Sequence, residues 1–93
     1  MSAPAVQHDA AARRYASGEG AHLAVLEYER TGDRVTYTHT FVPPELRGRG
    51  LAEALVRTAL TDARTAGLKV VPQCSYVAKF IERHAEYQPL LVP

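Results

Sequence analysis

The chain has 93 residues, 46% of them apolar, which is enough for one compact domain around a small core and too little for two. Its 11 Lys and Arg nearly cancel 10 Asp and Glu, leaving a formal net charge of +1, so the chain as a whole has no electrostatic reason to seek nucleic acid or an anionic membrane. The single cysteine, Cys74, excludes an intrachain disulfide, and no apolar run approaches the roughly 18 residues of a membrane span.

The opening "MSAPAVQHDA" has no hydrophobic period and no signal-like apolar segment, so residues 1–10 are expected to be flexible, and a cytoplasmic setting is the default expectation. Residues 11–93 are expected to form the single domain. "RRYAS" reads as a short strand and "GEG" as the turn after it. "AHLAVLEYER" places Leu23, Val25 and Glu27 on one side and Ala24, Leu26 and Tyr28 on the other, which predicts a strand buried on much of both faces. "TGD" then separates it from "RVTYTHTFV", in which Val35, Tyr37, His39 and Phe41 alternate with Thr36, Thr38 and Thr40. The two segments should pair as an antiparallel hairpin.

From Leu51 the period changes. Leu51, Ala52, Leu55, Val56, Ala59, Leu60 and Ala63 form one apolar stripe, Glu53 and Arg57 are spaced for an i, i+4 pair, and Gly67 stands where a left-handed C-cap residue is wanted. "LKVVPQ" reads as a short buried strand ended by Pro72, and "CSYVAKFIERH" as a second helix with Ser75 as its N-cap. The order is β-β-β-α-β-α. A strand, a helix and a strand in succession allow a right-handed crossover with parallel strands, which brings the N-terminus of the first helix to the carboxyl end of the third strand.

Charge divides unevenly about that point. Up to Leu46 there are four Arg against six Asp and Glu, whereas from Arg47 onward seven Lys and Arg face four acids, so an anionic ligand belongs with the second half. The junction reads "FVPPELRGRGLAEALV". The first amides of a helix have no partner inside it and the helix dipole makes that end partly positive. Gly48 and Gly50 would let a pyrophosphate sit on the amides between about Gly48 and Ala52, with Arg47 and Arg49 adding charge. The loop is neither a Walker A sequence, which needs Gly-Lys-Ser/Thr, nor a Rossmann fingerprint, whose third glycine position holds Glu53.

Arg47, Gly48, Arg49, Gly50, Leu51 and Ala52 resemble motif A of the GCN5-related N-acetyltransferases. "THTFVPPELRGRG" with "GLKVVPQCSYVAKFIERHAEY" is similar to the short, single-domain YjdJ-type branch of that superfamily over about residues 21–88. The resemblance implies a minimal α+β fold, a mixed and mostly antiparallel sheet of about four strands with two helices. It also implies that acetyl-CoA is the cofactor, with its pyrophosphate on the glycine-arginine loop and its pantetheine beside the preceding strand. Phe41 and Val42 would then lie beside the thioester, where a backbone amide is an oxyanion donor. The implied activity is acetyl transfer to an amine: a small molecule, a lysine or an N-terminus. Because the chain lacks the N-terminal helices that build an acceptor wall in longer relatives, a non-catalytic CoA or acyl-CoA binding module, or a partner-dependent acyltransferase, is the alternative.

Cys74 sits between a strand end and a helix start, where the dipole favours a thiolate. It fits either a nucleophile that takes the acetyl group or a small buried apolar residue. His39, two positions before Phe41, fits either a general base or a hydrogen-bonded strand residue. Ser75, Tyr76 and Lys79 are expected CoA contacts from the last helix, with packing for Tyr76 and a solvated face for Lys79 as the competing readings. Tyr87 reads as packing. The histidines and the lone cysteine have no metal-ligand spacing, so no metal is expected. Nucleic-acid binding through Arg47, Arg49 and Arg57 lacks an accompanying aromatic surface.

Overall fold

The computed structural model describes residues 5–92. Five strands form one sheet in chain order: β1 (Gln7–Asp9), β2 (Arg14–Glu19), β3 (His22–Thr31), β4 (Arg34–Phe41) and β5 (Lys69–Val71). The first four run antiparallel and β5 lies parallel to β4. Helix α1 (Leu51–Thr65) makes the crossover between β4 and β5, and α2 (Ser75–Arg83) follows β5. Short 3-10 turns occupy Pro44–Leu46 and Ala85–Leu90. Among the described residues no helix is long and apolar enough to cross a membrane.

The sheet has one strand more than expected. Gln7–Asp9, within the segment read as flexible, pairs with β2. His8 anchors it: its ring stacks on Tyr15 at 4.2 Å between centroids, and its Nε2 lies 2.6 Å from the Tyr28 hydroxyl. Glu19 belongs to β2, so the turn read as "GEG" falls one residue later, at Gly20 and Ala21. The β3–β4 hairpin turns through Gly32 and Asp33, as expected from the sequence.

Both α-helices pack on one face of the sheet. Tyr15, Ala24, Leu26, Tyr28, Val35 and Tyr37 from the strands meet Leu55, Val56, Ala59, Leu60 and Ala63 of α1 and Val77, Phe80 and Ile81 of α2. The α1 stripe read from the sequence is the buried one, except that Leu51 and Ala52 at its start are only half-buried. Tyr87 joins the core at 3% exposure. The expected left-handed residue at Gly67 has φ 71°, and Leu68 N–H to Ala63 C=O at 2.9 Å completes a Schellman cap.

β3 is buried on one face only: Leu23 and Val25 are half-buried and Glu27 is exposed. Opposite residues in a paired sheet share a face, so the far side carries two rows of side chains. One is Gln7, Ala16, Val25 and Phe41, and the other Asp9, Arg14, Glu27 and His39. The simple alternation read for β4 fails at one residue. Tyr28 pairs with Tyr37 but Glu27 pairs with His39, leaving Thr38 as a β-bulge. Val35 and Tyr37 therefore face the helices, while His39 and Phe41 face away and Thr40, paired with Leu26, turns inward.

Candidate functional site

Two backbone features meet at the carboxyl end of β4. The last β4–β5 pair is Thr36 with Val71, yet β4 continues to Phe41, so the two strands part and, among the described residues, the outer edge of β4 lies without a strand partner there. Prolines 43 and 44 then turn the chain into the 3-10 turn and the loop that opens α1. Arg47 Nε donates to Val42 C=O at 3.1 Å, and His22 Nδ1 lies 2.7 Å from Glu45 Oε1, which ties the loop to the start of β3.

Gly48 and Gly50 have φ of 81° and 74°, backbone conformations that a residue with a Cβ adopts only at a cost. A Cβ at either would meet nothing within 4 Å, so the glycines face open space rather than packed protein. Gly50 is the N-cap of α1 and brings no side-chain hydrogen bond to the helix amides. Against the loop lies an open cavity of about 230 Å³, lined by Val42, Leu46, Arg47, Gly48, Gly50, Leu51, Ala52, Glu53 and Tyr76. Glu53 would repel an anion there. Its carboxylate is instead held by Arg57 at 3.1 Å, whose guanidinium also lies over the Phe80 ring.

A second cavity of about 190 Å³ adjoins the first through Glu53 and Tyr76, and Lys79, Phe80, Arg83 and His84 complete it. Tyr76 is 40% exposed at the junction, so it is not core packing. Arg49 and Ser75 are exposed and line neither cavity, and Phe41, 45% exposed, stands on the far sheet face.

Cys74, not Ser75, is the N-cap of α2, because the chain is still extended at position 74 and Ser75 is the first helical residue. The Cys74 amide donates to Tyr37 C=O at 2.9 Å, fixing the start of α2 to the bulged part of β4. Cys74 is half-buried and its Sγ lies 3.3 Å from Thr40 Oγ1. Burial, the largest single influence, opposes ionisation. The Thr40 hydroxyl and the amides of Val77, Tyr76 and Thr40 act against it, and together they hold the thiol below its ordinary value. Thr40→Val should therefore raise the pH midpoint for alkylation of Cys74 by iodoacetamide. An unchanged midpoint would remove the hydroxyl from the account.

The structure does not bring His39 to Cys74. Thr40 takes the place beside the thiol, and His39 stands next to Glu27 on the other face. Thr40 was invisible as a site residue because it repeats Thr36 and Thr38. Arg83, by contrast, follows Lys79 and His84 follows Phe80 at i, i+4 spacing, which the sequence displays. Among the described residues no three His, Cys, Asp or Glu side chains gather to hold a metal.

The family model of the GCN5-related N-acetyl-transferases matches residues 13–90. The chain belongs to this family. Among relatives of this acetyltransferase domain, mouse Protein NATD1 is 37% identical over 82 residues, which cover 85% of this chain and 74% of the relative. The protein of the same name from Danio rerio is 36% identical over 87 residues, 88% of this chain and 79% of its own. The solution structure of a GCN5-like protein from Staphylococcus aureus superposes on the acetyltransferase fold with a TM-score of 0.77 at 24% identity, covering 99% of this chain and 91% of that one.

Proposed function

We propose that the protein binds acetyl-CoA on the Gly48–Gly50 loop and transfers its acetyl group to an amine. The observation that carries this reading is the cavity at the start of α1. Two left-handed glycines, amides without a side-chain cap and the Arg47 side chain surround a space open to solvent, and a pyrophosphate satisfies all of them together. Arg49 adds long-range attraction from the loop. Tyr76 and Lys79, with Arg83, face the adjoining cavity and suit the nucleotide end of CoA, and Ser75 at the start of α2 suits its pantetheine arm. The thioester then falls in the gap between β4 and β5, beside Phe41 and Val42, where a backbone amide is the oxyanion donor of this reading.

The same groups support two chemical routes. In one, the neutral amine attacks the thioester carbonyl directly, His39 takes its proton and the CoA thiolate leaves. In the other, the Cys74 thiolate attacks that carbonyl, the CoA thiolate leaves, and the amine then attacks the acetyl-cysteine, its proton passing to the departed CoA thiolate, and releases the Cys74 thiolate. The second is favoured by the depressed thiol and its Thr40 partner.

Calorimetric titration with acetyl-CoA and with CoA, followed by intact mass measurement, tests the proposal. Saturable binding with an added acetyl group on the protein is the expected result. Absence of binding to either ligand would overturn the cofactor assignment, and the loop would then be a structural turn.

A further inference from the structure

A cavity of about 400 Å³ lies on the far sheet face, on the β1–β2 side, away from the glycine loop. Ala16 and Gly18 leave its space, Leu23 gives it an apolar wall, and Asp9 and Arg14 supply its charges. Arg14 is half-buried, and its Nε, screened from solvent, has no hydrogen-bond partner among the described residues. Asp9 and Glu27 flank it in the strand register, yet among the described residues neither forms an ion pair with it within 4.0 Å. Asp9 is committed elsewhere, its Oδ1 accepting the Ala12 amide at 3.1 Å.

A guanidinium held this way wants acceptor oxygens, and its planar fork matches a carboxylate. Two neighbouring acids disfavour a doubly charged phosphate in the same place. Along the same row, Glu27 is one strand away from Arg14 and His39 two, beside the parted edge of β4. With strands about 4.8 Å apart, the line from Arg14 to His39 spans roughly 10 Å.

We propose that this open face is the acceptor site and that the acceptor is an amino carboxylate, its carboxylate on Arg14 and its ammonium at Glu27 and His39. Its apolar chain lies over Ala16 and Val25. Such a molecule separates its two charges by about one to two strand spacings, ~5–10 Å, as an ω-amino acid does and an α-amino acid alone does not. The assignment rests on the transferase reading, because the amine end is placed by the acetyl donor in the β4–β5 gap.

The test is an NMR titration of the ¹⁵N-labelled protein with 6-aminohexanoate, with hexylamine and glycine as controls, in the presence and absence of acetyl-CoA. The expected result is saturable shifts at the Ala16, Val25, Glu27 and His39 amides and the Arg14 Nε–H for 6-aminohexanoate. Binding should be weaker by about tenfold or more for hexylamine and in Arg14→Gln, whose own spectrum reports that it is folded. Arg14→Lys should recover only part of the affinity. No shifts with 6-aminohexanoate, equal shifts with hexylamine, or full binding by Arg14→Gln would overturn the proposal. The acetyl-CoA arm is read separately at Gly48, Gly50 and Leu51: silence there sinks the transferase reading, whatever happens at Arg14.

Discussion

Replacing Gly50 with valine is expected to weaken acetyl-CoA binding by about a hundredfold or more while leaving the domain folded. The loop conformation at this position has φ 74°, which a β-branched residue adopts only with strain of roughly 1–3 kcal/mol, so the loop must move or the helix start must unwind. Either change misaims the amides at the head of α1. Hydrogen bonds to a charged group contribute about 1.5–3 kcal/mol each, and losing two of them accounts for the drop. The fold should survive because a Cβ added at this position meets nothing within 4 Å. Calorimetry gives the affinity and circular dichroism the fold. Unaltered affinity in a folded Gly50→Val variant would refute the phosphate-loop assignment.

Cys74→Ala is expected to eliminate the acetylated protein and to lower turnover on the order of a hundredfold or more. The thiol is only half-buried, so truncation leaves little cavity and the loss should be one of chemistry rather than of folding. Intact mass after exposure to acetyl-CoA reads the intermediate, and steady-state rates read turnover. Full turnover in the variant would assign the reaction to direct attack by the amine and reduce Cys74 to the cap of α2. Cys74→Ser keeps the shape and a hydroxyl but not a ready thiolate, and it should resemble the alanine variant.

The parts of the fold with a strong period were legible in the sequence. The α1 stripe, the β3–β4 hairpin, the parallel β5 and the Gly67 cap all follow from residue spacing, because each buries a regular set of side chains or needs one backbone conformation. β1 escaped because three exposed residues, Gln7–Asp9, cannot display a period, and what holds them is one histidine lying flat on a distant tyrosine. The bulge escaped for a different reason. Thr36, Thr38 and Thr40 are chemically alike, so nothing along the chain marks which of them is the extra residue, and only pairing with β3 decides it. That single register shift determined the rest of the site. It sent Thr40 to the thiol and His39 away from it, and it aligned His39 with Arg14, whose importance lies in cross-strand neighbours that local sequence does not display.

A strand that carries a thiol's partner on one side and an imidazole on the other is a partition wall. Reagents specific for sulfur sample the helix side at Cys74, while carbethoxylation of His39 samples the solvent side, and the peptide backbone of β4 stands between the two modifications. The two compartments are thus separately addressable in one small domain. They come together where β4 outruns β5, and a molecule that spans that notch at the sheet's edge reaches both.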